Sequence, residues 1–293
     1  MDFCRKNIIF VFFIVLFNII GFRTLYSVTE SASDFLMDLN GTPVVLEEYK
    51  GKTFDGLSLN RKVFFNEGNI VSEEIFSPDG NISSKITYTY SQEGAVTEIK
   101  GLDPGDKLKW KYSYQYSEDG KLISETSYDS EENIEWIVFS EYDGTGKLFE
   151  QRTCNPDGNL TLKEVFLYDE SGRKKEQKSY YGDGKILKRI VFEYNDDGTV
   201  SREFSFDGNG LYETSVFSYT DKKIRTVKRF GVDGVLKDVQ HKEYKNGLLI
   251  RSITTDSDGT EVSMDEFIYD SHDNVFCISN QSGITIQKIS YGE

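Results

Sequence analysis

The chain has 293 residues, of which 28% are charged and 14% aromatic, and its formal net charge is −15. This charge argues against nucleic acid and anionic membrane surfaces as partners, because both reward positive charge. Two histidines and three cysteines leave little material for a metal or nucleophile site built on these residue types.

Residues 1–27 have the pattern of a secretory signal peptide. Arg5 and Lys6 precede an apolar run from Ile8 to Phe22, and the small residue Ser27 follows it. The run is shorter than the roughly 20 apolar residues that a membrane span needs. We therefore expect an exported protein, secreted or held in the periplasm or cell envelope, with no membrane span in the mature chain. An uncleaved N-terminal anchor is the alternative interpretation.

Cleavage after Ser27 would remove three basic residues and one acidic residue, which changes the net charge from −15 to −17. The following segment, residues 28–60, lacks the repeat of the remaining chain and carries one hairpin signal at Asn40-Gly41. Because the end of a repeat array exposes an unpaired edge, we interpret residues 28–60 as an N-terminal cap.

Residues 61–293 consist of about nine copies of one unit with a period of 25 or 26 residues. A tyrosine marks each unit, and Phe65 extends the series one step backwards. The marker positions are Tyr90, Tyr116, Tyr142, Tyr168, Tyr194, Tyr219, Tyr244 and Tyr269. A period of this length indicates a stacked array, in which each unit buries its apolar face against its neighbours.

Each unit contains two turn signals. A glycine follows the marker tyrosine by three or four residues in most units, and a second glycine, often in Asp-Gly, follows 14 to 16 residues after the tyrosine. Asp-Gly between alternating segments is typical of β-hairpins, because glycine accepts positive φ and aspartate bonds the local backbone. The segment Lys109–Tyr116 alternates polar and aromatic residues, as a strand does.

These patterns predict an all-β fold. We expect an extended, twisted antiparallel meander, a β-solenoid-like array, of about nine two-strand repeats. Aromatic residues that share a strand face should form a ladder across the array.

Two repeats resemble a known class of sequences. Tyr142-Asp143-x-x-Gly146-Lys147-Leu148 and Tyr168-Asp169-x-x-Gly172-Arg173 are similar to the YD repeats of bacterial Rhs and eukaryotic teneurin proteins. The Gly-Lys-Leu hairpins equally resemble MORN-like repeats of exported bacterial proteins. The resemblance implies a β-repeat fold, and its Rhs-like form implies a shell or toxin-associated protein.

No catalytic, cofactor or metal site is predicted. His241 and His272 stand at no metal-ligand spacing with Cys154 or Cys277, and the two cysteines should be unpaired because they lie almost five repeats apart. His241 occupies a place where other units carry an aromatic residue, which predicts a packed core histidine. Acidic loops such as Asn195–Gly198 are explained by turn chemistry, with a calcium loop as the alternative.

The candidate ligand-binding residues are Trp110, Tyr112 and Trp136. The two tryptophans are the only ones in the chain, and each follows a marker tyrosine by 20 residues, so adjacent repeats should bring them together. Paired tryptophans bind sugars by stacking, whereas a shared face with Tyr114 and Tyr116 is typical of core packing. Both interpretations stay open on the sequence.

The functional hypothesis is an exported, non-enzymatic β-repeat protein that acts as a binding or scaffold module at or outside the cell envelope. Its partner would be a protein or a glycan. The second hypothesis is a carbohydrate- or other ligand-binding protein that uses an aromatic platform. The third is an enzyme, for which no nucleophile, base or metal set can be assembled from the sequence.

Overall fold

The computed structural model of the chain describes Leu39 and residues 42–291, so the predicted signal peptide lies outside the described residues. The one helical element in this part is a 3₁₀ turn at Phe54–Gly56. All other elements are strands, in the order β1 (Pro43–Gly51), β2 (Ser58–Asn66), β3 (Asn69–Phe76), β4 (Ile82–Tyr90), β5 (Val96–Leu102), β6 (Leu108–Tyr116), β7 (Leu122–Tyr128), β8 (Ile134–Tyr142), β9 (Leu148–Cys154), β10 (Leu160–Tyr168), β11 (Lys174–Tyr181), β12 (Ile186–Tyr194), β13 (Val200–Asp207), β14 (Gly210–Thr220), β15 (Lys223–Gly231), β16 (Leu236–Lys245), β17 (Leu248–Asp256), β18 (Glu261–Tyr269), β19 (Val275–Asn280) and β20 (Gly283–Tyr291).

Consecutive strands pair antiparallel throughout, as the hairpin signals predict. In addition, β1 pairs with β20, so the 20 strands form one closed barrel. The prediction of an all-β antiparallel meander of two-strand repeats is confirmed, and the prediction that the meander is open and extended is wrong. A twisted sheet of this many strands curls, and pairing of its two ends removes the exposed edges that an open sheet would keep.

The closing strand β1 belongs to the segment that lacks the repeat. Leu46 of this strand faces Ile289 of β20 on one side and Val63 of β2 on the other. Leu46 and Val63 are completely buried, and Ile289 packs against them. An apolar contact therefore accompanies the backbone hydrogen bonds where the barrel closes.

Most of the buried side chains share one face of the sheet. In a closed sheet the inward side chains converge while the outward ones diverge, so this better-buried face is the concave one. Its buried members include Leu46, Val63, Ile99, Tyr114, Glu125, Val138, Phe166, Ile190, Val227 and Phe267.

An irregular step in the strand register directly precedes the marker tyrosine of each repeat, for example between Gln115 and Tyr116 and between Glu141 and Tyr142. The extra residue lies on the partner strand: Glu141 faces Glu150 and Tyr142 faces Leu148, so Phe149 of β9 is skipped. Alternation along β8 is therefore unbroken, and Ser140 is buried while Phe139 is 39% exposed on the outer face. By the same alternation His241, three residues before Tyr244, lies on the outer face and is exposed, so the prediction of a packed core histidine is wrong.

The marker tyrosines connect successive repeats. In each of seven, the hydroxyl donates a hydrogen bond to a backbone carbonyl 19 or 20 residues earlier, at 2.6–2.9 Å. The pairs are Tyr90–Ile70, Tyr116–Val96, Tyr142–Leu122, Tyr168–Leu148, Tyr194–Lys174, Tyr219–Val200 and Tyr269–Leu249. A buried carbonyl without a partner is costly, which gives the repeated tyrosine a structural role.

The predicted ladder of stacked aromatic rings is replaced in part by basic side chains. Lys121 lies 5.7 Å from the ring centre of Tyr142, and Arg173 lies 4.5 Å from that of Tyr194. These basic residues come from the Gly-Lys and Gly-Arg turns, so the turn sequence supplies a cation–π partner to the next repeat.

Candidate ligand-binding site on the concave face

Trp110, Tyr112 and Trp136 form a continuous row of rings, which we call the aromatic row. The ring centres of Trp110 and Tyr112 are 5.1 Å apart, and those of Tyr112 and Trp136 are 5.7 Å apart. The rings are tilted by 47° and 40° and all three are half-buried. The prediction that adjacent repeats bring the two tryptophans together is confirmed, with Tyr112 between them.

The pairing of residues across neighbouring strands determines where these rings lie. Trp110 faces Gly101 of β5, and Tyr112 and Trp136 face Ser127 of β7 from its two sides. A Cβ atom at position 101 would lie 2.1 Å from Cε2 of Trp110. Glycine is therefore required at position 101, because the indole of Trp110 lies against its backbone.

The inner side of the row rests on the core. Trp110 and Tyr112 pack against the buried cluster of Val96, Ile99 and Tyr114. The sequence left core packing and ligand stacking open as interpretations of these residues. In the structure, one side of the rings packs on the core and the exposed part lies on the concave face. Rings held in this way lose little further freedom when a ligand stacks on them.

Polar groups flank the row. The Ser127 hydroxyl is fully buried and donates a hydrogen bond of 2.8 Å to Oε2 of Glu135. Burial raises the pKa of the Tyr112 phenol, and the nearby Glu125 carboxyl raises it further. The exposed Glu135 carboxylate and the Tyr112 hydroxyl place hydrogen-bonding oxygens beside an apolar stacking surface, which is the combination that a sugar requires.

Glu125 is the most unusual polar residue of the region. It is 1% exposed, it faces Tyr114 of β6 and Val138 of β8, and neither carboxylate oxygen has a hydrogen-bond partner. The hydroxyl of Tyr114 is also buried without a partner. Burial without a counter-ion raises the pKa of Glu125 to about 7.

Sequence reasoning missed Glu125, Ser127 and Gly101. Acidic pairs are so frequent in this chain that Glu125 carried no distinguishing signal. Gly101 did carry one, since a glycine inside a strand marks a close approach of another group, and its register opposite Trp110 identifies that group.

A second group of polar side chains lies on the concave face next to the closing strand. Arg61 forms ion pairs with Glu73 at 3.3 Å and Glu48 at 3.7 Å. The Tyr88 hydroxyl donates a hydrogen bond of 2.6 Å to Glu73. Burial raises the pKa of Tyr88, and the Glu73 carboxylate raises it further. The network joins β1, β2, β3 and β4, and within it Oε2 of Glu48 and Nε of Arg61 are buried without a hydrogen-bond partner.

The described part of the chain, Leu39 and residues 42–291, contains no cluster of three or more histidine, cysteine, aspartate or glutamate side chains fit to hold a metal ion. The same residues include no helix that is long and apolar enough to cross a membrane. Cys154 and Cys277 are both free thiols, and burial raises the pKa of Cys277.

Comparison with known families identifies a MORN repeat variant at residues 112–130. This stretch holds the end of β6, its turn and all of β7, and so includes Tyr112, Glu125 and Ser127 of the site. No curated protein matches the chain.

Among solved structures, the Tc toxin complex TcdB2–TccC3 matches with 12% identity and a TM-score of 0.34, over 78% of this chain and 15% of the toxin chain. The Photorhabdus luminescens Tc holotoxin pore matches with 12% identity and a TM-score of 0.35, over 81% and 18%. A porin-like protein from Bacteroides uniformis matches with 10% identity and a TM-score of 0.40, over 86% and 99%. This chain therefore spans less than a fifth of the toxin chains that it matches. The regular spacing and the MORN-variant match together make it a β-repeat protein.

Proposed function

We propose that the protein is a non-enzymatic binding module that takes a carbohydrate chain on the aromatic row. The observation that carries this proposal is the row of three half-buried rings with steps of 5.1 and 5.7 Å on the concave face. Sugar rings present apolar C–H faces that pack on aromatic rings, while their hydroxyls bond to flanking oxygens such as those of Glu135. The tilt from ring to ring suits a ligand chain that twists along its length.

We also propose that the module works outside the cytoplasm. Support comes from the basic start and the short apolar run of residues 1–27. The exported chain should begin at Val28, and sequencing its amino terminus checks this expectation. A chain that retains Met1 in a membrane fraction would instead be the uncleaved anchor form.

Intrinsic fluorescence tests carbohydrate binding directly, because both tryptophans of the chain lie in the proposed site. Titration with chitohexaose and cellohexaose should shift the tryptophan emission to shorter wavelength and saturate, since stacking removes water from the rings. Trp136→Ala should weaken binding about tenfold, because a tenfold change corresponds to about 1.4 kcal/mol and a stacked aromatic contact contributes up to about 1.5 kcal/mol.

The matched control is Phe139→Ala, which removes an aromatic ring from the outer face of the same strand. Its affinity should equal that of the unchanged chain. Emission that stays constant with both oligosaccharides at millimolar concentration would contradict the proposal. Equal losses from the two substitutions would place the ligand elsewhere.

A further inference from the structure

A small cavity lies on the concave face at β13–β16, away from the aromatic row on β6–β8. Its volume is about 60 Å³. A water needs about 10–15 Å³ by this measure, so the cavity has room for roughly four to six waters, or for a ligand with a few heavy atoms. Phe217 and Val227 supply an apolar wall.

The charged residues of the cavity are sorted by sign. The two carboxylates, Glu203 and Glu213, come from β13 and β14. The two cations, Arg229 and Lys242, come from β15 and β16. Neighbouring strands are about 4.8 Å apart, so a negative and a positive side face each other across a short distance.

These charges are only partly neutralised by the protein. Arg229 Nε donates to Asp238 at 2.7 Å, which leaves the other four guanidinium N–H groups available. Glu213 forms an ion pair of 3.3 Å with Lys237, whose side chain is half-exposed. Burial raises the pKa of the Glu203 carboxyl, while Lys188 opposes that effect.

Lys242 is the residue that most clearly lacks a partner. Its side chain lines the cavity and is 8% exposed, and within residues 42–291 no carboxylate lies within ion-pair distance of its ammonium group. An incoming carboxylate would therefore gain a charge-assisted hydrogen bond at this ammonium group.

We propose that this cavity binds the zwitterion of a small α-amino acid. The carboxylate of the ligand lies at Lys242 and Arg229, its ammonium lies at Glu203 and Glu213, and a small side chain packs toward Phe217. This assignment rests on the separation of negative and positive side chains in the cavity. A ligand with only a negative charge would be repelled by the two carboxylates, and a ligand with only a positive charge would be repelled by Lys242. The inference does not depend on the carbohydrate site.

Calorimetric titration of the full chain with L-alanine tests the proposal. Alanine should give a saturable heat. Propionate lacks the ammonium and ethylamine lacks the carboxylate, and each should bind at least about tenfold more weakly. Tryptophan emission should stay unchanged, because both tryptophans lie on β6 and β8. Absence of saturable heat with glycine, alanine and serine overturns the proposal, and so does equal binding of alanine and either analogue.

Two substitutions locate the ligand. Lys242→Met and Glu203→Gln should each weaken alanine binding about tenfold or more, and both roughly keep side-chain length. The matched controls are Lys228→Met and Glu193→Gln, at exposed positions of β15 and β12, and these should bind like the unchanged chain. If Lys242→Met fails to fold, the comparison of alanine, propionate and ethylamine on the unchanged chain still decides.

Discussion

Glu125→Gln should stabilise the fold by about 3 kcal/mol at pH 8 and by less than about 1 kcal/mol at pH 5. The Glu125 pKa is raised from 4.5 to about 7 by burial, and a pKa that differs by one between the folded and unfolded states corresponds to about 1.4 kcal/mol of stability. The folded state holds the proton more tightly than the unfolded state, so stability falls as pH rises from about 4.5 to 7. Glutamine removes that loss because it does not ionise.

Urea melts of both proteins at pH 5 and pH 8 measure this difference. Glu243→Gln is the matched control, because Glu243 is exposed and its ion pair with Arg251 at 3.8 Å is weak. The control should change stability by less than about 0.5 kcal/mol at either pH. A benefit of Glu125→Gln that is the same at both pH values would mean that the carboxyl is hydrated in the folded protein.

The second large effect is expected where the barrel closes. Leu46→Ala should destabilise by about 2–5 kcal/mol, as for other fully buried leucines, because Leu46 is 0% exposed between β2 and β20. Val44→Ala on the same strand is the control, since Val44 is 42% exposed. Its effect should stay below about 0.5 kcal/mol.

A double-mutant cycle separates closure from simple burial. Leu46 and Ile289 face each other although they stand at opposite ends of the described chain. Residues in contact show coupling energies of about 0.5–3 kcal/mol, so Leu46→Ala and Ile289→Ala should not be additive. Additive losses would show that β1 and β20 are apart in solution and that the sheet is open.

Much of the local structure was predictable from the sequence. The marker tyrosines and the Asp-Gly pairs located the strands and turns, and the equal offsets of Trp110 and Trp136 predicted their proximity. The turn shape persists even where glycine is missing: Glu132 and Asp273 both adopt a φ of 62°. Hydrogen bonding across the hairpin therefore imposes this conformation on residues that disfavour it.

Closure of the barrel was not predictable in the same way. It depends on the summed twist and tilt of 20 strands, and no single segment carries that information. Phe139 lies on the outer face because the extra residue of the register step before Tyr142 belongs to β9, which leaves the alternation along β8 unbroken. Glu125 was missed because its burial depends on its position between Tyr114 and Val138 of the two neighbouring strands.

The pairing of β1 with β20 also constrains how such a chain evolves. Antiparallel closure of a meander requires an even number of strands, because an odd number would bring the first and last strands together in parallel. Duplication or loss of one whole repeat changes the number by two and keeps this parity, while it alters the circumference by about 10 Å of strand spacing. Related chains should therefore differ in length by multiples of about 25 or 26 residues, each with a different bore, and a half-repeat deletion would force the first and last strands to pair in parallel.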